Sequence, residues 1–233
     1  MYGSEVSRRP GLRLFAMPMN RFAILLPALA GALLAAGCAE EEDVLGRQKT
    51  TFVSFLERTH QPRLIPEEDY EPESRAAVYA TLDNAVYRYI DVDTYYDPDR
   101  GNWPEVTEES WVTLTFTAYL FTNTVIRGLP DGGLTESNIA SVTQPFYTND
   151  PSFESYFQLV GLTPGAWDFG PLTVDMRNPG IIKGLRLALL GCREGDRAEA
   201  YMTYNMAYGD KTYVYFIPRQ SPIAVFFSVD KVE

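Results

Sequence analysis

The most informative segment of the chain begins with Pro171-Leu-Thr-Val174 and continues to Glu233. Its further markers, in order, are Asn178-Pro-Gly-Ile-Ile-Lys-Gly-Leu185, Gly195-Asp-Arg-Ala198, Ala207-Tyr-Gly209, Phe216-Ile-Pro218 and an apolar run at residues 223–232. Short apolar runs bounded by Gly, Pro and Asp are typical of strands joined by turns. The segment therefore predicts strand, short helix, strand, loop and strand, and we expect the upstream residues to pair with it or to deliver it.

Length and composition indicate an ordinary folded protein. The 233 residues could hold one domain with appendages or two small domains, and a single core is the simpler interpretation. Hydrophobic residues make up 45% and charged residues 22%, while 15 Tyr and 13 Phe favour β structure. A net charge of -11 repels phosphate backbones, so nucleic acid is not an expected partner.

The N-terminal residues have the pattern of a secretion signal. Met19-Asn-Arg21 precedes an apolar run at residues 22–36 that is short for a membrane span. The small residues directly before Cys38 resemble a bacterial lipobox, although Ala35 stands where Leu is commoner. We predict a signal peptide at residues 1–37, with Met19 as the true start and Cys38 as the lipid-carrying (palmitate) N-terminus. A transmembrane anchor and an ordinary cleaved signal remain the alternatives.

The tract at residues 39–43 is acidic and is expected to be a solvated tether. It resembles the export tag of surface lipoproteins from Bacteroidetes-type bacteria, and a plain spacer is an equal alternative. The resemblance implies a lipid anchor in the outer membrane of the bacterial cell envelope. It is also compatible with exposure at the cell surface.

Residues 38–75 are expected to connect this anchor to the folded domain. Leu45, Phe52, Phe55 and Leu56 recur at helical spacing and predict one amphipathic helix that ends near His60. Residues 61–73 combine three Pro with acidic side chains, a composition typical of an extended linker. We therefore place the domain at residues 76–233 and expect a fragment that begins near Ala76 to fold alone.

Few residues point to metal or nucleophilic chemistry. His60 is the single histidine and has no neighbouring Cys, so neither a metal site nor a catalytic pair is expected, and no cofactor is implied. Cys192 is expected to be a small buried side chain. Acidic residues around Gly101 could hold calcium, but they lack the downstream Glu of an EF-hand, and a solvated hairpin loop is the preferred interpretation.

Two strands are predicted upstream of the C-terminal segment. Residues 85–90 are rich in aromatic and β-branched side chains. Residues 112–120 alternate strictly, with Val112, Leu114, Phe116, Ala118 and Leu120 on one face. Such alternation predicts a half-buried antiparallel strand.

The order of these motifs resembles an FKBP-type peptidyl-prolyl isomerase domain. The family pattern is Pro-Phe-x-Phe, a Val-Ile-x-Gly-Trp helix start, Gly-x-x-Ala, Ala-Tyr-Gly, Ile-Pro and a closing strand with Phe. It matches residues 171–233 without a gap, and Asn123-Thr-Val-Ile-Arg127 after the alternating strand extends it to residues 85–127. The resemblance implies an α+β fold, an antiparallel sheet curled around one short helix.

An insertion at residues 128–170 is far longer than the family's usual loop, and long loops cost little closure entropy. Asp150-Pro151 predicts a helix start and Gly161 its end. Phe153, Tyr156, Phe157 and Trp167 make the insertion apolar enough to pack on the domain, and the resemblance places it beside the family's pocket.

The resemblance also implies a ligand pocket. The matching positions are Phe116, Ile126, Arg127, Leu172, Ile181, Ile182, Leu185, Tyr208, Phe216, Ile217 and Val225. Tyr208 keeps the family's tyrosine and is the favoured ligand contact. The family's aromatic or acidic residues are replaced at Phe116, Ile126, Arg127, Leu172, Leu185 and Val225. For Ile182 and Leu185, core packing is as good an interpretation as pocket lining.

Two functions follow from these residues. The first is a peptidyl-prolyl isomerase or folding helper for exported proteins and proline-containing peptides, with weak or degenerate activity and no certain catalytic residue. The second is a non-catalytic module that binds a peptide, protein or glycan. The replaced aromatic residues favour the second, and the family resemblance favours the first.

Overall fold

The computed structural model describes residues 25–71, 73–161, 168–211 and 217–233, with side chains from residue 42 onward. Contacts divide the chain into two units, Met1–Val44 and Leu45–Glu233. The first helix, α1 (Leu25–Arg58), confirms the helix predicted before His60 and includes the acidic tract predicted as a tether. Most of the predicted signal segment and the side chain of Cys38 lie outside the described part. No helix of the described residues is long and apolar enough to cross a membrane.

The described strands all belong to one sheet. They are β1 (Ile65–Pro66), β2 (Val78–Leu82), β3 (Val86–Ile90), β4 (Trp111–Leu120), β5 (Tyr147–Thr148), β6 (Leu172–Asp175), β7 (Arg197–Met202) and β8 (Ile223–Val232). The other α-helices of the described residues are α2 (Val92–Tyr95), α3 (Glu154–Leu159) and α4 (Lys183–Leu189).

The strand order brings the C-terminal segment into the middle of the sheet. The order is β1-β2-β3-β7-β8-β4-β5, and β6 pairs with the same edge of β4 as β5. The β1–β2 pair is parallel and the other pairs are antiparallel. This mixed sheet with few helices confirms the predicted α+β class.

One face of the sheet packs against α4, and we call it the α4 face. Val112, Leu114, Phe116 and Ala118 lie in the same buried cluster as Leu189 of α4. The alternation of β4 therefore predicted the correct set of inward side chains. The cluster also takes the inward residues of β3, β7 and β8, so it is the main core.

The approach of α4 to the sheet depends on one glycine. A Cβ atom at Gly184 would lie 2.5 Å from Met202 Sδ and 2.9 Å from the Met206 carbonyl oxygen, which only glycine avoids. At the other end of α4, Arg88 Nη1 donates hydrogen bonds to the carbonyl oxygens of Ala188 and Leu190, at 3.1 and 2.6 Å. Carbonyls at a helix C-terminus are thereby satisfied by a side chain of β3.

The opposite face packs against α1, and we call it the α1 face. Phe52, Phe55 and Leu56 of α1 are buried in a second cluster with Leu64 and Tyr201. Residues 61–73, predicted as an extended linker, therefore pack against the sheet over part of their length. Leu64 is buried there and β1 pairs with β2. The compact unit accordingly begins at Leu45 rather than at Ala76.

The insertion at residues 128–170 contributes a third cluster. The Asp150 carboxylate accepts from Ser152 N at 2.8 Å and begins a 3₁₀ turn, Pro151–Phe153, which runs into α3. Gly161 follows α3 with a φ of 88°, as predicted for its end. Phe153, Tyr156 and Phe157 pack there with Tyr119 of β4, while Trp167 lies outside the described residues. The helical part of the insertion thus covers the side of β4 that faces away from α4.

Candidate functional site

Four of the residues that the resemblance assigns to the pocket lie on the α4 side of the sheet. Ile181, Ile182, Leu185 and Tyr208 are half-buried, and all of them pack against the main core cluster. Ile181 and Ile182 immediately precede α4, and Leu185 lies in its first turn. The motif around the helix start therefore supplies three apolar side chains that pack against the main core, and we call these three residues and Tyr208 the surface around Tyr208.

Tyr208 supplies the polar group of this surface. It follows the 3₁₀ turn Tyr204–Met206, and its ring meets Phe146 edge-on with a centroid distance of 6.1 Å. Burial, and after it the nearby phenol of Tyr147, raise the pKa of Tyr208, so its hydroxyl stays protonated at neutral pH. Among the described residues no hydrogen bond to this hydroxyl occurs, which leaves an O–H donor for a ligand.

Two further predicted residues are buried in the main core. Phe116 on β4 is 9% exposed and Val225 on β8 is 2% exposed, and both are in the main core. Neither side chain presents much area to a ligand. Val225 lies next to Ala118 of β4 in the register of β4 and β8, so it is part of the sheet's central packing.

The remaining C-terminal positions differ in exposure. Leu172 lies on β6 opposite Leu114 of β4 and is 40% exposed, one of the few large apolar side chains at the surface. Ile217 is buried. Phe216 lies outside the described residues.

Ile126 and Arg127 are not brought to the α4 face with the others. Ile126 packs against the two clusters of the α1 face, and the Arg127 side chain is exposed. The reason is that β4 ends at Leu120 and Phe121 is buried on the α1 face, which carries the following residues there. Thr143 holds them through a hydrogen bond that its hydroxyl accepts from Arg127 N at 3.0 Å.

The insertion places two aromatic residues in the site that the sequence did not single out. Tyr147 of β5 stacks on Phe116 with a centroid distance of 5.3 Å and an interplanar angle of 27°. Phe146 beside it packs against the main core and against Tyr208. The aromatic pair Phe146-Tyr147 before a β-branched Thr148 is a weak strand signal that could have drawn attention to it.

Asn149 holds this arrangement in place. Its buried side chain accepts from Phe116 N at 2.6 Å and donates to the carbonyl oxygens of Leu114 and Gly170, both at 2.9 Å. The amide thus fills the gap along β4 between the end of β6 pairing and the start of β5 pairing. Gly170 N also donates to the Asn149 carbonyl oxygen at 2.8 Å, which ties the two ends of residues 150–169 together.

A cavity of about 340 Å³ opens elsewhere, on the α1 face. Its lining includes Tyr89, Glu199, Phe226 and Asp150, and Phe116 is the one predicted pocket residue that lines it. This groove is separate from the surface around Tyr208. Its mixture of carboxylates and hydroxyls does not match the apolar pocket that the family resemblance implies.

His60 is tied into the core next to this groove. Its Nδ1 lies 2.6 Å from the Pro62 carbonyl oxygen and its Nε2 lies 2.7 Å from Glu199 Oε2. Burial alone would lower the pKa of His60, but the hydrogen bond and charge of Glu199 and the Pro62 carbonyl outweigh it, so the pKa is raised. Two acceptors require two donating ring nitrogens, which only the imidazolium provides.

The other candidate groups have structural roles. Cys192 is fully buried and its thiol donates to the Ala188 carbonyl oxygen at 3.2 Å, while burial raises its pKa to about 11. Asp91 and Asp97 accept from backbone N–H groups two residues on, at 2.9 and 2.8 Å. In the described part of the chain, no group of three or more His, Cys, Asp or Glu could hold a metal ion.

Comparisons with known proteins return structures but no sequence family. No family model matches the chain, and no curated protein matches it. The N-terminal domain of FKBP42 from Arabidopsis thaliana is 14% identical with a TM-score of 0.42, over 72% of this chain and 97% of that one. The three FKBP domains of wheat FKBP73 are 14% identical with a TM-score of 0.44, over 67% of this chain and 51% of that one. A peptidyl-prolyl cis-trans isomerase of Pseudomonas syringae pv. tomato is 13% identical with a TM-score of 0.46, over 82% and 95%.

Two of these structures are described as FKBP domains and the third as a peptidyl-prolyl cis-trans isomerase. At such identities and TM-scores, neither an activity nor a ligand carries over from them to this chain.

Proposed function

We propose that this chain is an FKBP-like module that binds proline-containing segments of exported proteins, with isomerase activity well below that of a typical FKBP. The sheet in this interpretation curls around α4, and the ligand lies against Ile181, Ile182 and Tyr208. The observation that carries the proposal is the protonated Tyr208 hydroxyl, which has no hydrogen-bond partner among the described residues and lies on an apolar surface.

The chemistry of prolyl isomerisation needs no nucleophile or metal. The barrier of about 18–20 kcal/mol arises from amide resonance, and a surface lowers it by removing water from the amide and favouring the twisted form. Tyr208 can donate a hydrogen bond to a peptide carbonyl, and the isoleucines can exclude water. These two elements are the minimum for binding a proline segment.

The weak activity in the proposal follows from what the site lacks. Leu185 stands where the family resemblance implies Trp, and Phe116 and Val225 are buried beneath the surface. Each missing aromatic contact removes about 0.5–1.5 kcal/mol beyond the lost area. Ile126 and Arg127 lie away from the site, so they cannot compensate.

A peptide titration combined with an isomerase assay tests this function. The full chain is expected to bind a blocked Ala-Leu-Pro-Phe peptide more tightly than Ala-Leu-Ala-Phe. Tyr208→Phe removes one hydrogen bond and should weaken binding of the proline peptide about three- to tenfold. Tyr79→Phe, whose hydroxyl bonds Glu57 on the α1 face, is the matched control and should bind normally. Equal affinity for the two peptides would contradict the proposal.

A non-catalytic binding module for a protein or glycan is the second candidate. The placement of Ile126 and Arg127 on the other side of the sheet favours it, because the surface around Tyr208 then has no charged partner from that segment. Peptide binding without any acceleration of isomerisation would select this candidate. Isomerase activity equal to that of a typical FKBP would exclude it.

We also propose that the module is anchored in the bacterial envelope through a lipid on Cys38. The support is the apolar run at residues 22–36 followed by small residues and a single cysteine. Two acyl chains anchor a protein stably where one does not. Cys38→Ser should abolish fatty-acid labelling and leave an unprocessed precursor in cells. Normal labelling and processing of that variant would refute the lipid anchor.

A further inference from the structure

The register of the short strand β5 fixes where its side chains point. Tyr147 pairs with Ala118 of β4, and Ala118 belongs to the main core on the α4 face. Paired residues of antiparallel strands project from the same face of a sheet. Tyr147 therefore stands on the α4 face, while its neighbour Thr148 turns to the other side and meets Thr117, with 2.8 Å between the hydroxyl oxygens.

The exposure of the stacked rings decides which of them a ligand can touch. Phe116 is 9% exposed because Tyr147 stacks on it, whereas Tyr147 itself is 42% exposed. Phe146 fills the space between this stack and Tyr208. A ligand that reaches the Tyr208 hydroxyl from solvent thus meets rings that belong to the insertion rather than to β4.

Tyrosine is suited to such a position. Its ring offers a large apolar area with few rotatable bonds, and its phenol tolerates water, which is why tyrosine is enriched at binding surfaces. The buried Asn149 amide prevents β5 from sliding along β4, so the ring is held before a ligand arrives. Preorganisation of this kind lowers the entropic cost of binding.

We infer that Tyr147, supported by Phe146, is a specificity-determining contact of the peptide site, an inference that rests on the proposed function. The insertion at residues 128–170 thereby supplies the aromatic wall that β4, β6 and β8 no longer supply. The ligand class is an extended peptide whose proline lies by Tyr208 and whose flanking residue packs on the Tyr147 ring.

Titration of the full chain and three variants with the blocked Ala-Leu-Pro-Phe peptide tests the inference. Tyr147→Ala should weaken binding about three- to tenfold, the value of one aromatic contact, and Tyr147→Phe should retain most of it. Trp111→Ala is the matched control, because Trp111 is an equally exposed aromatic residue (45%) at the other end of β4. Melting curves recorded beside each titration show whether the variants are folded.

A second measurement uses the unmodified chain, so its result does not depend on whether a variant folds. In the unmodified chain, the peptide should shift the NMR ring signals of Tyr147 and Tyr208, and leave those of Tyr79 unchanged. Unchanged or tighter binding by folded Tyr147→Ala, or unshifted Tyr147 signals in a chain that binds the peptide, would overturn this inference and leave the proposed function standing. Failure of the unmodified chain to bind the peptide would overturn both.

Discussion

The side chain of Asn149 makes the hydrogen bonds to β4 that the backbone of a neighbouring strand would otherwise make. Between β6 and β5 the edge of β4 exposes the N–H of Phe116 and the carbonyl of Leu114, and a buried unpaired backbone group is costly. The Asn149 amide has an acceptor and a donor at nearly the spacing of a peptide group, and it satisfies both. Aspartate could accept but not donate, and leucine could do neither.

We therefore expect Asn149→Ala to lower the free energy of unfolding by about 2–4 kcal/mol, because several buried hydrogen bonds are lost at once. Urea denaturation monitored by fluorescence measures the change. Asn138→Ala is the control, since that side chain makes comparable turn hydrogen bonds to Thr135 and Gly133 at an exposed site, and its loss should be under about 1 kcal/mol. Equal losses in the two variants would show that Asn149 has no special role.

At this scale the sequence could single out part of the candidate site. Ile181, Ile182 and Leu185 lie in a short linear motif at a helix start, and Tyr208 lies in the Ala207-Tyr-Gly209 motif. Asn149 was missed because its partners are 21 to 35 positions away along the chain, and no local pattern reports such pairings.

The end of α1 is tied to β7 through an ion pair. His60 follows α1, and its imidazolium lies between the Pro62 carbonyl and the Glu199 carboxylate, which also accepts from Tyr201 Oη at 2.6 Å. The phenols of Tyr89 and Tyr201 face the same ring. Glu199 is therefore the one carboxylate that sets the charge state of His60 among these contacts.

We expect this link to depend on pH. The pKa of His60 in the folded chain is raised above its unfolded value of 6.5. Its stabilising contribution is therefore complete below about pH 6.5 and is lost as the pH rises through the folded pKa. The difference in free energy of unfolding between the unmodified chain and His60→Gln should shrink from about pH 5.5 to about pH 8.5.

Direct titration of the single histidine by NMR checks the same point. The midpoint for His60 should lie above that of a free histidine, and Glu199→Gln should lower it. A midpoint at or below the free value in the unmodified chain would mean that burial outweighs Glu199.

Helices and strands with a regular apolar pattern were predicted from the sequence, and a short buried segment without one was not. β4 was found because apolar side chains alternate along it, and the last turns of α1 because apolar side chains recur there at helical spacing. Residues 61–73 were misjudged because three prolines and several acidic residues suggested solvation, whereas Leu64 and β1 pack against the sheet. A short buried contact inside a polar stretch leaves almost no compositional signal.

In the whole molecule, α4 packs on one face of the sheet and α1 on the other, and we expect both to be needed for a stable fold. Removing residues before Ala76 would strip Phe52, Phe55, Leu56 and Leu64 from the α1 face. Each such side chain contributes about 1.5–3 kcal/mol when buried, so the four together approach the net stability of a typical domain, about 5–15 kcal/mol. The sequence-based boundary at residue 76 therefore cuts through the core.

We expect a fragment of residues 45–233 to unfold cooperatively on heating and a fragment of residues 76–233 to show no cooperative transition. Calorimetry on both fragments measures this directly. Mixing the shorter fragment with a peptide of residues 45–75 should restore the transition if the loss is one of packing. A sharp transition in residues 76–233 alone would show that the α1 face is stable without its cover.

The hydrogen bond from Gly170 N to the Asn149 carbonyl oxygen closes a loop in the chain. The chain leaves the edge of the sheet after Asn149 and returns to the same place at Gly170. The number of residues between these two positions is then uncoupled from the register of every strand, and loop length itself costs little. Residues 150–169 could therefore be replaced as a unit, either by a short turn or by a larger module. Such exchanges would alter what lies over Tyr119 while β5, and with it the wall beside Tyr208, kept its place.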